Sequence, residues 1–103
     1  MTQPVAEIVT FTLARGISPK DFVAISQQSE AFVRARAGFL HRRLSLGQEG
    51  HWTDYVVWAD MDSAKEAMEA FPKQDFAPAL MAAIAPDSVT MRHETVLWDI
   101  AAT

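Results

Sequence analysis

Two strand-like apolar runs, Phe39 to Leu46 and Trp52 to Ala59, are separated only by Gly47-Gln48-Glu49-Gly50, a polar turn bounded by glycines. Runs this close in the chain can pair only as an antiparallel hairpin, and the rest of the fold has to be built around that pair. If Gly47 faces Gly50, Ser45 lies opposite Trp52, Arg43 opposite Asp54, His41 opposite Val56 and Phe39 opposite Trp58, all on one face. Leu40, Leu44, Tyr55 and Val57 then share the other. A slip of one residue exchanges the two faces.

On either side of the hairpin the periodicity is equally readable. Val5 to Ala14 alternates, with Val9, Phe11 and Leu13 on one side and Ile8, Thr10 and Thr12 on the other, which predicts a first strand ending before Gly16. Ser18-Pro19-Lys20-Asp21 supplies a helix start: a serine cap, proline at the first helical position and an acid in the first turn. The apolar positions Phe22, Ile25, Phe32 and Val33 recur at helical spacing around the small Ser29, Gln27, Gln28, Glu30 and Arg34 take the wet side, and Gly38 stops the helix. After the hairpin, Ser63-Ala64-Lys65-Glu66 resembles a capping box, and Ala64, Ala67, Met68 and Phe71 form the apolar stripe of a second helix. Pro72 interrupts it, and the pattern resumes at Asp75-Phe76-Ala77-Pro78 and runs through Leu80, Met81 and Ile84, so two pieces with a bend are expected. A final strand is predicted from Ser88 to Ile100, with Met91, His93, Thr95 and Leu97 on one side and Arg92, Glu94, Val96 and Trp98 on the other.

The order strand, helix, strand, strand, helix, strand predicts an α+β, ferredoxin-like βαββαβ unit. Its four-stranded antiparallel sheet has both helices on one face, and residues 1–103 form one domain. With half of its 103 residues apolar, the chain can bury one core without covalent staples. The segment Tyr55 to Ala59 is apolar on both sides, which would leave a large apolar area in water if helices covered one face alone. A second copy of the same sheet is the simplest cover, so a homodimer is expected.

Several function classes are excluded. The net charge of -4 and the lack of a basic stripe interleaved with aromatics argue against nucleic-acid binding. Arg42-Arg43, the one adjacent basic pair, reads beside Asp54 and Glu49 as a solvated strand edge. There is no cysteine, and the three histidines are too scattered for a metal cluster, so neither a thiolate nor a metal site is expected. No basic segment followed by an apolar run opens the chain, and apolar runs such as Tyr55 to Ala59 are far too short to span a bilayer. No membrane association and a cytoplasmic location are the resulting expectations. A glycine-rich phosphate loop, a nucleophile elbow, a paired-histidine zinc motif and a calcium loop are all missing.

A few residues could carry chemistry, each with a plainer reading beside it. Trp58 can wall an aromatic pocket and donate a hydrogen bond through its indole nitrogen, or simply fill the core of a central strand. His93 can act as a general base near neutral pH, or be a partly buried histidine bonded to a backbone carbonyl. His41 shares the face of Trp58 only in the register assumed above, and His51 borders the turn in solvent. Met68, Met81, Met91, Phe71 and Phe76 can line a flexible apolar pocket or fill the core. Tyr55, on the face opposite Trp58, could meet a partner subunit. Arg43 with Asp54 reads as a cross-strand ion pair of small net worth.

Gly38-Phe39 opening the second strand, the turn before Trp52, the run Trp58 to Ala64 leading into the second helix, and the late segment Pro86 to His93 together resemble the antibiotic biosynthesis monooxygenase-like family of dimeric α/β barrels. The likeness extends over nearly the whole chain. It implies a cavity between sheet and helices in each subunit, where some members oxidise polycyclic phenolic substrates with molecular oxygen and no metal or flavin. Those members typically use an asparagine and a tryptophan near the substrate, and haem-degrading relatives add a histidine. Trp58 matches the tryptophan in outline, and this chain contains no asparagine. The resemblance therefore suggests a cofactor-independent oxygenase acting on a flat aromatic small molecule, with His93 as base and Trp58, His41, Met68, Phe76 and Met91 against the substrate. The alternative is a non-catalytic small-molecule-binding or scaffolding dimer of the same fold, which the missing asparagine favours.

Overall fold

A computed structural model describes residues 3–102. Its elements are β1 (Val5–Phe11), α1 (Pro19–Gln27), α2 (Glu30–Arg34), β2 (Phe39–Leu46), β3 (Trp52–Trp58), α3 (Met61–Ala70), α4 (Ala77–Ala82) and β4 (Thr90–Thr95). The strands form one sheet in the order β2-β3-β1-β4, with every neighbouring pair antiparallel. This is the ferredoxin-like βαββαβ arrangement, each helical region being split in two. Among the described residues no helix is long and apolar enough to cross a membrane.

The helices pack on the sheet face that presents Phe11, Trp52, Val56 and Trp58, and the core falls into two clusters. In one, Phe22 of α1 sets its ring edge-on against Trp52 at 5.0 Å and tilted against Phe11 at 5.3 Å, closed off by Leu80 and Ala83 from the α4 region. In the other, Val33, Val56 and Trp58 meet Ala64 and Ala67 of α3. Burying an aromatic side chain of this kind contributes about 2 to 3 kcal/mol, so Phe22, Trp52 and Trp58 anchor the layers.

The first helix begins as expected, with the Ser18 hydroxyl accepting from the Asp21 N–H at 3.1 Å ahead of Pro19. It does not run on to Gly38. The fully buried Ser29 turns its hydroxyl back onto the Ser26 carbonyl at 2.6 Å, and this local bond competes with helix continuation, separating α1 from α2. The second helix starts earlier than a serine cap at Ser63 would allow. Asp60 is the cap, its carboxylate accepting from the Ser63 N–H at 2.8 Å. That backbone bond, followed by the Ser63 hydroxyl, holds the Asp60 carboxyl below the usual carboxylate range against a smaller opposing effect of burial. Pro72 divides this helical region as predicted, with α3 ending at Ala70 and α4 beginning at Ala77.

The hairpin register differs from the one expected. The Gly47 N–H donates to the carbonyl of His51 rather than facing Gly50, because Glu49 and Gly50 both take positive φ (59° and 76°) and lengthen the turn by one residue. Leu46 therefore pairs with Trp52, Leu44 with Asp54 and Arg42 with Val56, and an irregularity between Phe39 and His41 restores the expected pairing of Phe39 with Trp58. The slip sends Arg42 and Leu44 towards the helices and turns His41, Arg43 and Ser45 to the helix-free face, as the two-residue period of a strand requires. The last strand is also shorter than expected. Beyond the bond from the Val96 N–H to the Pro4 carbonyl no further backbone bond extends this strand among the described residues, and β1 begins at Val5. Leu97, Trp98 and Ile100 are left 80%, 85% and 82% exposed.

Gly38 joins α2 to β2 at φ 81°, and a Cβ built there would lie 2.3 Å from the Ser63 Oγ and 2.6 Å from its Cβ. Both the backbone conformation and the contact exclude a side chain. Gly38→Ala is expected to lower stability by about 2 kcal/mol or more, read as a fall in the midpoint of denaturant unfolding; an unchanged midpoint would show that β2 can shift away from α3 freely.

Candidate functional site

Between the sheet and the helices lies a cavity of 340 Å³ whose walls come from both core clusters. Where α3 approaches the sheet its buried side chains are alanines, and Ala67 lines the cavity at a position a larger residue would fill. The wall is otherwise aromatic and sulfur-containing, with Phe32, Phe71, Met68, Met81 and Met91 among the lining side chains. Phe32 and Phe71 meet edge-on at 5.9 Å. A space of this size and polarity suits a small, partly apolar molecule.

A single polar row crosses the sheet beneath this space, and each strand gives it one side chain. From β2, Arg42 places its Nε 3.0 Å and its Nη2 2.8 Å from the two carboxylate oxygens of Asp54 on β3. Its remaining terminal nitrogen donates to the Ser29 hydroxyl at 2.8 Å. From β1 and β4, Glu7 and His93 are cross-strand partners, with the His93 Nε2 3.3 Å from a Glu7 oxygen. Glu7, Arg42 and Asp54 all line the cavity. All four side chains are a fifth or less exposed, and charges this sheltered persist only when partnered.

Trp58 closes one end. It is 2% exposed and stands edge-on to Phe39 at 5.8 Å, and it lines the cavity. Its Nε1 is buried without a hydrogen-bond partner among the described residues. A buried donor left unmade costs about 1 to 3 kcal/mol, so this nitrogen is an unmet polar group in a side chain of the cavity wall.

The candidates read from sequence are thus dispersed by the fold. Trp58, Met68 and Met91 line the cavity. Phe76 stands a layer behind, its ring against Phe32 at 5.7 Å and Phe71 at 5.0 Å. His93 reaches the cavity through Glu7. His41 is exposed on the helix-free face, removed from Trp58 by the register slip. Arg43 pairs with Tyr55 on that same outer face, so the partner of Asp54 is Arg42 instead. No group of three or more metal-ligating side chains comes together among the described residues.

No family model matches the sequence, and no curated protein matches it. Solved structures do. A single-residue variant of SnoaB, a cofactor-independent oxygenase from Streptomyces nogalater, superposes with a TM-score of 0.78 at 19% identity, covering 98% of this chain and all (100%) of that one. A candidate antibiotic biosynthesis monooxygenase from Bordetella bronchiseptica gives 0.79 at 17% identity, covering 94% of this chain and 100% of that one. Rv0793 from Mycobacterium tuberculosis gives 0.70 at 15%, over 95% and 99%. The chain has the fold of the antibiotic biosynthesis monooxygenase-like proteins.

Within that fold, the residues that sequence reasoning passed over are Glu7 and the Arg42–Asp54 pair. Glu7 carried a readable signal: Val5, Glu7, Val9 and Phe11 occupy one face of β1, and a lone acid in an apolar row asks for an explanation. Arg42 gave none, because its direction depends on the turn.

Removing one partner of a sheltered ion pair strands the other. Arg42→Met is therefore expected to destabilise the fold by about 3 kcal/mol, with much of the loss recovered in the double change Arg42→Met/Asp54→Leu. Urea unfolding of the two variants measures this, and equal losses in both would mean that Asp54 is comfortably solvated without Arg42.

Proposed function

We propose that the chain is an antibiotic biosynthesis monooxygenase-like protein that binds a flat, partly apolar aromatic molecule in the cavity and oxidises it with molecular oxygen, without cofactor. The observation that carries this reading is the unpartnered Nε1 of Trp58 at the end of an aromatic cavity with carboxylates on its floor. The indole N–H would donate a hydrogen bond to an acceptor oxygen on the ligand, and ligand hydroxyls would donate to the carboxylates. SnoaB, of the same fold, is a cofactor-independent oxygenase, and this supports the reaction class.

The chemistry asks little of the protein beyond a base and a water-poor wall. Loss of a phenolic proton to His93, acting with Glu7, places negative charge in the ligand ring. An activated ring CH₂ then gives one proton to the same base and adds O₂, the proton returns to the peroxide oxygen to make the hydroperoxide, and the remaining C–H hydrogen leaves with hydroxide as water, which gives a carbonyl. One oxygen atom enters the product and the other leaves as water, so four electrons from the CH₂ carbon balance the reduction of O₂.

A second reading keeps the binding and drops the turnover. The chain has no asparagine, and His93 meets the cavity through Glu7, both of which favour a binding dimer. Titrating the protein with flat phenols including 2-naphthol, with quinones and with haem, while following tryptophan fluorescence and then oxygen uptake, separates the two. Saturable quenching that disappears in Trp58→Phe, with oxygen consumed, is the expected result. Quenching without oxygen uptake selects the binding role, and no binding across the panel removes both.

The same reading includes a homodimer. On the helix-free face Tyr55 and Val57 are half-buried beside an exposed Leu40, and the tail holds Leu97, Trp98 and Ile100 in water, an arrangement that asks for cover. Light scattering is expected to give twice the 11.4 kDa of one chain, with Trp98→Ser/Ile100→Ser shifted towards monomer. A monomeric parent at micromolar concentration would remove the dimer.

A further inference from the structure

We infer that Glu7 is the group through which the cavity takes a proton from its ligand, and that His93 works behind it as the site where that proton comes to rest. The inference rests on reading the cavity as a ligand site, and it assigns a role to a residue that was not among the candidates expected from sequence and that fold likeness does not single out. It follows from a difference between the two carboxylates of the polar row.

Asp54 is fully engaged. Arg42 holds both of its oxygens, at 3.0 and 2.8 Å, and is itself fixed by Ser29. A carboxylate gripped in this bidentate way has both oxygens already turned to a guanidinium and not to a ligand hydroxyl. Glu7 is held by one long contact, 3.3 Å from His93 Nε2 to Oε2, and its other oxygen has no partner among the described residues. It is 14% exposed, and it lines the cavity. A sheltered carboxylate with a free oxygen towards an apolar space is a poised acceptor.

The register places Glu7 between the other functional groups. It pairs with His93 on β4, while on β3 it faces Val56, with Trp58 and Asp54 on the two diagonals of the same face. A ligand hydroxyl that reached the free Glu7 oxygen would lie over the sheet face that carries Trp58. The proton then moves from the ligand oxygen to Glu7 and from Glu7 to His93 Nε2. The O–H bond breaks, an N–H bond forms and Glu7 returns to carboxylate. The imidazolium formed faces the Glu7 carboxylate. The other charged groups on this face are Arg42 and Asp54, which neutralise one another, and the lining side chains from the helices carry no charge.

Absorbance of 2-naphthol bound to the whole protein under anaerobic conditions at neutral pH tests this, because the naphtholate absorbs to the red of the neutral form. The expected result is an anion band in the parent, its loss in Glu7→Gln with naphthol still bound, a partial band in Glu7→Asp and a weakened one in His93→Gln. With oxygen admitted, any turnover should fall at least 100-fold in Glu7→Gln, the lower range for loss of a general base. A merely structural Glu7 would change melting and affinity but leave the protonation of bound naphthol alone. A readout needing no variant is the ¹⁵N shift of the His93 ring, expected to move to the doubly protonated pattern when naphthol binds. Bound naphthol that stays neutral in the parent, an anion band that survives in Glu7→Gln, or a His93 ring unmoved by binding would each overturn the Glu7 assignment alone. An anion band with naphthol but no oxygen uptake from a bound phenol that carries a ring CH₂ would uphold it while removing the oxygenase reading, and failure of naphthol to bind would overturn the cavity reading and this inference together.

Discussion

The pairing of Leu46 with Trp52 decides which side chains of the hairpin look inward, and the interior follows from it. Glu49 and Gly50 take positive φ and add one residue to the turn. With that residue added, Arg42 faces the helices and reaches Asp54 on the neighbouring strand, and Ser29 at the break between α1 and α2 accepts its remaining hydrogen bond. Had Gly47 closed against Gly50, Arg43 and His41 would point inward in place of Arg42 and Leu44. The irregularity at Leu40 then returns the strand to register so that Phe39 can pack on Trp58. Turn, ion pair, helix break and aromatic contact are thus linked steps of one geometry.

The interior combines two tendencies that ordinarily conflict. Aromatic and methionine side chains supply the apolar burial that stabilises so small a domain, yet a row of four polar side chains runs across the sheet beneath them. Sheltered charges cost several kcal/mol each unless paired, and pairing accounts for the row: Arg42 with Asp54, His93 with Glu7. The alanines of α3 keep the helix close to the sheet without filling the space above the row. A cavity results, with acceptors on its floor, a donor at its end and adaptable side chains around it. Much of this arrangement serves packing poorly and ligand contact well, a combination expected where function competes with stability.

Periodicity and punctuation made the element order legible, since period-two runs, the Ser18-Pro19 start, the Pro72 break and the glycines each act locally. The helix starting at Met61 was misjudged by three residues because Asp60 and Ser63 both suit a cap, and only the approach of the chain from β3 selects Asp60. Trp58, Met68 and Met91 were legible as cavity candidates because they fall on faces that a local period defines. His41 was misplaced and Arg42 overlooked for a single reason, the added turn residue, whose effect on sidedness reverses with every step along a strand. Glu7 could have been found from its apolar neighbours, although its partnership with His93, 86 positions away, could not.

What the sequence determined alone is the kind of unit: four strands and two helical regions, the second interrupted, in βαββαβ order, with enough apolar material for one core. These follow from short-range forces, namely side-chain alternation, capping and the backbone limits of proline and glycine. Only the tertiary structure decided the register of the hairpin, the Arg42–Asp54 ion pair and the Glu7–His93 contact across the sheet, the volume left by the alanines and the burial of the Trp58 indole nitrogen. Those depend on contacts between residues far apart in the chain, and there the free energy of a buried charge or an empty space is set by neighbours that no local pattern names.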